Sequence, residues 1–318
     1  MIEVDGLEKV YGDFTAVQGL SFRVARGEVL GLVGPNGAGK TTTLRSLAGI
    51  LRPTRGRITI AGFDLAAHPI DAKSRLAFVP DEPHLFEYLT VEEHLRFVGR
   101  LYQVADAEER IPALLEEMEL AGKRVALPGE LSRGMKQKLL IACGLLHRPQ
   151  ALLLDEPLTG LDPVGIRRMK ATIVGRAEAG AAVILSSHLL HLVEEVCTRL
   201  MIMNRGRSLA LGSIDEILSA RPDMAGRTLE EVFVGIVGAD ASGDQCSGPL
   251  PISQAARPGT DSPASSGACA HPGISSPSCL AFSTSGQSRS SSVPPGAAPS
   301  PARPAGWSSS LPWGWPER

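Results

Sequence analysis

The stretch Gly34-Pro-Asn-Gly-Ala-Gly-Lys-Thr-Thr42 decides the fold of this 318-residue chain. It matches the P-loop pattern Gly-x-x-x-x-Gly-Lys-Thr, which is credible only where it joins a strand to a helix. The apolar run Val29–Val33 comes before it and is typical of a buried strand. The spacing of apolar residues from Thr42 to Ile50 favours a helix. The motif therefore has the strand, loop and helix that it requires.

A loop of this composition is suited to hold nucleotide phosphates. Glycines lack a Cβ, so backbone N–H groups can converge on the phosphates, and the helix N-terminus adds about half a positive charge. Lys40 is predicted to act on the β- and γ-phosphates as a catalytic residue, and the Thr41 hydroxyl to bind Mg²⁺. The predicted nucleotide contacts are Gly34, Pro35, Asn36, Gly37, Ala38, Gly39, Lys40, Thr41 and Thr42.

Composition argues against several other classes of protein. The net charge is −2 and no basic stripe is present, so no nucleic-acid partner is expected. No apolar run approaches the roughly 18–20 residues that cross a bilayer, and the first residues do not resemble a signal peptide. The five cysteines lack metal-ligand spacing, and their odd number argues against a disulfide framework. A cytoplasmic location is expected.

Hydrophobic patterning predicts an α/β fold, a P-loop NTPase core with a mainly parallel sheet. An antiparallel β-subdomain is expected at the N-terminal side, and a helical insertion at about residues 84–147. Predicted strands span about residues 2–7, 20–24, 29–33, 57–60, 76–79, 151–154, 183–185, 200–203 and 208–211. Predicted helices span about residues 91–119 with a break near 106, then a helix from 131, and 164–178, 214–220 and 229–237.

Polar residues follow two of the buried strands and have the chemistry needed to hydrolyse a nucleoside triphosphate. Asp155 and Glu156 end the apolar run 151–154, where Asp155 is predicted to hold Mg²⁺ and Glu156 to activate a water as general base. His188 ends the next strand and can donate a hydrogen bond to the γ-phosphate. Because the carboxyl ends of parallel strands share one sheet edge, these groups are expected to converge beside the P-loop.

Together these motifs closely resemble the nucleotide-binding subunit of ATP-binding cassette (ABC) transporters, over about residues 1–238. The P-loop, Asp155 with Glu156, and His188 occur in the order and spacing of that family. Tyr11 matches its adenine-stacking aromatic residue. The segment Leu131-Ser-Arg-Gly-Met135 matches its signature motif, and Leu161-Asp162 its D-loop. The resemblance is greatest to the exporter branch and implies the ABC ATPase fold.

The resemblance implies ATP and Mg²⁺ as cofactors and two kinds of partner. A second ABC ATPase subunit, in a homodimer, would close head-to-tail on this one. Ser132 and the Gly134 N–H would then contact the γ-phosphate of the facing nucleotide, with Asp162 nearby. A separate membrane permease would hold the protein on the inner face of the cell membrane, and ATP hydrolysis would power export through it.

Two residues depart from the family pattern. Arg133 stands where the signature has its first glycine, so it either crowds the facing nucleotide or adds positive charge beside it. Asp81 stands where the Q-loop has glutamine, and its carboxylate is predicted to be a Mg²⁺ ligand. The loop that follows carries Leu85, Phe86, Tyr88 and Leu89, which either form a groove for a permease helix or cap the helical insertion.

Two other functions are weighed against transport. A soluble regulatory ABC ATPase acting on a cytosolic complex is the main alternative, although the chain has one cassette and no heptads. A GTPase is disfavoured because no Asn-Lys-x-Asp segment follows the P-loop. Transported substrate and direction are not encoded in this chain, beyond the resemblance to exporters.

Composition changes abruptly near residue 239. From there to Arg318, 53 of 80 residues are Gly, Pro, Ser or Ala, with no periodicity to form a core. Three interpretations of this low-complexity tail remain: a disordered segment, an out-of-frame translation product, or a partner-binding tail.

Overall fold

The structure, a computed structural model, describes residues 1–220 and 227–241. Within these residues the strands are β1 (Ile2–Tyr11), β2 (Phe14–Val24), β3 (Val29–Val33), β4 (Arg55–Ile60), β5 (Phe63–Asp64), β6 (Leu76–Val79), β7 (Ala151–Asp155), β8 (Ala182–Ser187), β9 (Arg199–Asn204) and β10 (Arg207–Gly212). The helices are α1 (Lys40–Leu47), α2 (Pro69–Lys73), α3 (Val91–Leu101), α4 (Ala107–Glu117), α5 (Arg133–Leu146), α6 (Pro163–Glu178), α7 (Leu190–Glu194), α8 (Ile214–Ser219) and α9 (Leu229–Ala241).

The strands form two sheets. One is antiparallel with the order β2-β1-β4-β5, and the other has the order β10-β9-β3-β8-β7-β6. In the second sheet β9, β3, β8, β7 and β6 run parallel, and only the edge strand β10 is antiparallel. The predicted α/β core, the N-terminal antiparallel sheet and the mainly parallel sheet are therefore confirmed.

The parallel sheet is buried on both faces because successive side chains point to opposite sides. On β3, Leu30 and Leu32 face the antiparallel sheet and α1, in one apolar core. Val29 and Val33 belong to a second core, which includes apolar residues of α3–α7 and α9. Strands β7 and β8 divide their residues between the two cores in the same way. This arrangement explains why all three strands are continuous apolar runs.

The chain between β6 and β7 is helical, as predicted for the insertion, and its first helix is strongly capped. Thr90 and Glu93 form a capping box, in which Glu93 N–H donates to Thr90 Oγ1 and Thr90 N–H donates to Glu93 Oε2. Glu92 then pairs with Arg96 and with Arg124. The Glu92–Arg124 pair links α3 to the segment before α5.

Several boundaries differ from the sequence prediction. Strands β1 and β2 are longer than predicted and pair with each other as a hairpin, whereas β3 lies in the other sheet. Helices α2 and α7 were not predicted, since five residues are too few to show a helical period. Helix α9 continues to Ala241, and Asp240 accepts from Asn204 Nδ2 at 2.7 Å. The remainder of the low-complexity tail lies outside the described residues.

Two further expectations concern cysteines and membrane spans. Cys143 and Cys197 are free and buried, and burial raises the pKa of both thiols to about 12. Both therefore act as apolar core residues. Across residues 1–220 and 227–241, every helix is too short or too polar to span a bilayer.

Candidate active site

The P-loop connects β3 to α1 through a backbone path that demands glycine at its end. Gly39 is the N-cap of α1 with φ +101°, in the left-handed region. A Cβ there would lie 2.6 Å from the carbonyl oxygen of Ala16 on β2. A side chain at this position would be strained and would also collide with the antiparallel sheet. The loop is thus held against β2 as it enters the helix.

Lys40 is the first residue of α1 and its ammonium group lies inside the loop. Its Nζ donates to the carbonyl oxygens of Gly34 at 2.7 Å and Pro35 at 3.2 Å. Burial lowers the pKa of Lys40, and the negative charges of Glu156 and Asp155 oppose that shift. Because β3, β8 and β7 are neighbouring parallel strands, the loop after Val33 and the acidic residues at the end of β7 lie at the same sheet edge.

The other residues of the loop differ in exposure. Ala38 is buried, and its N–H donates to the Pro35 carbonyl at 3.1 Å. Asn36, Gly37 and Thr41 are exposed, and Thr42 is half-buried. The Thr41 hydroxyl therefore lies at the accessible N-terminus of α1, where an anion is stabilised by the helix dipole.

Asp155 ends β7 and is almost fully buried, and a serine on the neighbouring strand orients its carboxylate. Ser186, on the neighbouring strand β8, donates from Oγ to Asp155 Oδ1 at 2.6 Å. The same Oγ accepts from the Glu156 N–H at 3.1 Å. Because Ser186 orients one carboxylate oxygen, the other is left for a ligand. Ser186 was not predicted as a site residue, although its position at the end of the strand after Asp155 is a signal that the sequence contains.

Glu156 and His188 lie side by side at the same sheet edge. The Nδ1 atom of His188 is 2.9 Å from Glu156 Oε2. Glu156 has φ +48°, a left-handed conformation that costs a non-glycine residue roughly 1–2 kcal/mol. Strain of this kind is concentrated at functional sites. The strand ends thus bring together the acidic pair and the histidine, in the arrangement that the sequence predicted.

Tyr11 lies at the tip of the β1–β2 hairpin, where it pairs with Phe14. Both rings are exposed, and the Lys9 ammonium lies 4.8 Å from the centre of the Tyr11 ring. The tip is near the P-loop, because Ala16, two residues after Phe14, contacts Gly39. Phe14 was not predicted from the sequence as a site residue. It is a second aromatic surface beside the one that matches the adenine-stacking position.

The signature segment forms the N-terminus of α5. Ser132 is the N-cap and its Oγ accepts from the Met135 N–H at 3.2 Å. It is exposed, and Gly134 is half-buried against the turn before α6, where a Cβ would lie 2.8 Å from the Gly160 carbonyl. Asp162 caps α6, accepting from the Gly165 N–H at 2.7 Å. The two helix N-termini are therefore adjacent and accessible.

The two departures from the family pattern contact each other. Arg133 Nη2 lies 3.2 Å from Asp81 Oδ1, and both side chains are about half exposed. Asp81 is the second residue after β6, and it belongs to the same edge of the parallel sheet as Asp155. Whether Asp81 binds Mg²⁺ stays a prediction.

The donor set at the sheet edge fits Mg²⁺ better than a transition metal. In the described part of the chain there is no cluster of three or more His, Cys, Asp or Glu side chains. The site instead offers the Thr41 hydroxyl and the free oxygen of Asp155. Mg²⁺ is usually bound by one or two carboxylates together with substrate phosphates and water, so these oxygens suffice.

Comparison with known proteins agrees with this geometry. The family model described as ABC transporter matches residues 17–159. Nod factor export ATP-binding protein I of Paraburkholderia xenovorans (strain LB400) is 39% identical over 221 residues, which are 69% of this chain and 73% of that protein. Linearmycin resistance ATP-binding protein LnrL of Bacillus subtilis (strain 168) is 34% identical over 221 residues, which are 69% and 71%.

Two solved structures are also similar. One, the ATP-binding subunit of an ABC transporter, has a TM-score of 0.71 and 36% sequence identity, and the match covers 74% of this chain and 99% of that one. The other, a dimeric post-hydrolysis state of an ATP-binding cassette bound to ADP and Pi, has a TM-score of 0.61 over 67% of this chain and 99% of that one. At 21% identity, the second supports the fold alone.

Proposed function

This chain belongs to the family of ABC transporter ATP-binding proteins, and we propose that it binds and hydrolyses ATP to drive a separate membrane permease in the export direction. The observation that carries the proposal is the convergence at one sheet edge. The P-loop with Lys40, the pair Asp155-Glu156 and His188 follow three neighbouring parallel strands, and Glu156 contacts His188.

The P-loop residues are assigned to the phosphates. Backbone N–H groups of residues 34–42, other than Pro35, and the N-terminus of α1 would cradle them. Lys40 would exchange its contacts with two carbonyl oxygens for contacts with phosphate oxygens, which are stronger because both groups are charged. Tyr11 would stack on the adenine ring, at a hairpin tip next to the loop.

Asp155, with Thr41, would hold Mg²⁺, whose charge neutralises phosphate oxygens during transfer. The Ser186 hydroxyl orients the Asp155 carboxylate for that purpose. Glu156 would accept the proton of the attacking water, as general base. With Nδ1 facing Glu156, His188 would donate from Nδ1 to that carboxylate and, when both ring nitrogens are protonated, from Nε2 to the γ-phosphate.

A second copy of the subunit is proposed to complete the nucleotide site. Ser132 and Gly134 lie at the start of α5, and Asp162 lies at the start of α6. Ser132 and Asp162 are exposed, and Gly134 is half-buried. Exposed backbone N–H groups at a helix N-terminus suit the γ-phosphate of a facing nucleotide. The ATP would then bind the two subunits together until it is hydrolysed.

A permease helix is proposed to dock on an aromatic surface formed by Phe86, Tyr88 and Phe97. Tyr88 is 89% exposed and Phe86 56%, and the Phe86 ring packs edge-on against Phe97 at 5.1 Å. The Phe86 N–H donates to buried His94, which holds the loop in place. Leu85 and Leu89 were expected to be exposed with them, but both are half-buried. Large exposed aromatic residues that adjoin each other are typical of docking sites.

The proposed location follows from this docking surface: the cytoplasmic face of the cell membrane, through the permease. Export is supported by relatives whose names specify Nod factor export and linearmycin resistance. The experiment is binding of a fluorescent ATP analogue to the full chain, with ATP and GTP as competitors. We expect ATP to displace the analogue and Lys40→Ala to abolish binding. Preferential displacement by GTP would contradict the proposal.

A further inference from the structure

The two residues that depart from the family pattern form one ion pair. Arg133 opens α5, and its Nη2 lies 3.2 Å from Oδ1 of Asp81, in the loop after β6. Each substitution would be unfavourable by itself. An arginine at the signature places a long, mobile cation on the closing face, and an aspartate at the Q-loop places a negative charge near phosphates.

The stem of Arg133 is held by a third segment. Gly160 lies in the turn before α6 with φ +79°, and a Cβ there would lie 3.3 Å from Arg133 Cδ and 3.5 Å from its Nε. Arg133 therefore runs across a turn that has no side chain and ends at the Asp81 carboxylate. Its conformation is set by its own chain.

The backbone around the pair is fixed independently of the ion pair. Gln137, one helical turn after Arg133, is buried, and its Nε2 donates to the Pro80 carbonyl at 3.4 Å. Gly134 packs closely on the Gly160 carbonyl. Because these contacts place α5 on the Pro80–Asp81 segment, removal of the Asp81 carboxylate is expected to free the Arg133 side chain and leave the helix in position.

We propose that Asp81 is a positioning residue, which orders Arg133 on its own chain before two subunits close around ATP. The inference rests on the proposed function, since it assigns a role to the signature of that nucleotide site. A side chain ordered in advance does not lose conformational entropy on association, and preorganisation of this kind strengthens binding. An exposed ion pair adds little to folding stability, so its effect is expected on closure.

The test is a double-mutant cycle on the full chain, with Glu156→Gln present throughout to stall hydrolysis. The four proteins are the parent, Asp81→Ala, Arg133→Gly and the double variant. Light scattering measures their Mg-ATP-dependent dimerisation. We expect Asp81→Ala to weaken dimerisation roughly three- to tenfold, the cost of immobilising one long side chain on association. In the Arg133→Gly background the same change should alter it less than about twofold.

The cycle separates positioning from any direct role of Asp81. If Asp81 acted as a Mg²⁺ ligand, Asp81→Ala would weaken dimerisation equally in both backgrounds. That result would overturn the inference and would not contradict the proposed function. The charge swap Asp81→Arg with Arg133→Asp should recover most of the loss. Asp106→Ala is the matched control, since Asp106 forms an ion pair with Arg148 at 2.9 Å that includes neither Asp81 nor Arg133. This control should leave dimerisation unchanged.

Three other results would also overturn the inference. In the first, the parent protein binds the fluorescent ATP analogue but stays monomeric, so there is no dimer that an ordered Arg133 could favour. A parent protein that binds no ATP analogue contradicts the proposed function, and the inference with it. The melting temperature of Asp81→Ala should match that of the parent within the error of the measurement, and a large drop would indicate a structural role instead.

Discussion

The imidazole of His188 and the carboxylate of Glu156 form a hydrogen bond of 2.9 Å across the ends of neighbouring strands. Nδ1 of the histidine carries a proton in this contact, because both Glu156 oxygens are acceptors when ionised, and Nε2 is a donor as well when the ring is protonated on both nitrogens. The contact fixes the direction of the carboxylate that we assign as general base, and it leaves Nε2 for a phosphate oxygen. Glu156 is the more buried of the two, so the exposed histidine orients it from the solvent side.

Replacement of His188 should therefore affect turnover more than nucleotide affinity. His188→Ala removes the partner of Glu156 and the donor assigned to the γ-phosphate, so we expect kcat to fall about 100-fold, within the range for positioned proton-transfer groups. The KM for ATP should change less than about threefold. Phosphate-release kinetics provide both constants. An equal loss in kcat and in binding would indicate that the residue stabilises the fold.

Ser186 should affect the affinity for Mg²⁺, because it orients Asp155. Ser186→Ala removes the hydroxyl that donates to Asp155 Oδ1 at 2.6 Å. Loss of a residue that orients a metal ligand typically weakens metal affinity by 10- to 100-fold. We therefore expect the Mg²⁺ concentration for half-maximal activity to rise about tenfold. Titration of ATPase activity with Mg²⁺ measures it. Ser187→Ala is the matched control, since Ser187 is also buried but accepts from the Leu189 N–H. An equal rise in both variants would contradict this assignment.

The aromatic surface should control membrane association. Tyr88→Asp places a charge on the proposed docking site, and we expect the fraction of protein that sediments with membranes to fall at least about fivefold, since a buried unpaired charge at an interface costs several kcal/mol. The ATPase activity of the isolated chain should not change. Ile70→Asp is the control, because Ile70 is 83% exposed and lies on α2, outside that surface. Equal loss with both variants would argue against a specific site.

Low pH should weaken the ion pair between Glu92 of α3 and Arg124, which lies before α5. The hydrogen bond from Arg124 is the main cause that lowers the pKa of Glu92, and burial opposes it. A lowered pKa means that the stabilisation is complete above the ordinary glutamate value near 4.5 and is lost as pH falls below it. Glu92→Gln should therefore lower the free energy of unfolding by about 1 kcal/mol at pH 7 and by less at pH 4.

Denaturant unfolding of Glu92→Gln and the wild type at both pH values measures this difference. The exposed Glu194 on α7 offers a matched control, and Glu194→Gln should have little effect at either pH. A Glu92→Gln difference that grows as pH falls would contradict the assignment, because it would require a raised pKa.

The sequence was sufficient for the core because its signals are local. The P-loop carries its own strand and helix, and the apolar runs before Asp155 and before His188 mark parallel strands whose ends must meet. The pairing of β1 with β2 is local, because only residues 12 and 13 separate the two strands. The placement of β3 between β8 and β9 in the other sheet depends on contacts between distant parts of the chain, which hydrophobic spacing does not specify.

The contacts that complete the site were not predictable in this way. Ser186 and Asp155 are 31 residues apart, and Arg133 and Asp81 are 52 apart. Their pairing depends on the packing of β7 on β8 and of α5 on the loop after β6. A single sequence shows that Arg133 and Asp81 both depart from the family pattern, and only the fold shows that they contact each other.

The central claim, that Glu156 catalyses ATP hydrolysis at a P-loop site, is tested most directly by single-turnover ATP hydrolysis by the full chain and by Glu156→Gln. Glutamine keeps the shape of the side chain and cannot accept the proton. We predict a rate at least about 100-fold lower for Glu156→Gln, with ATP affinity within about threefold of the wild type. Equal rates in the two proteins, or a wild type that does not hydrolyse bound ATP, would contradict the claim.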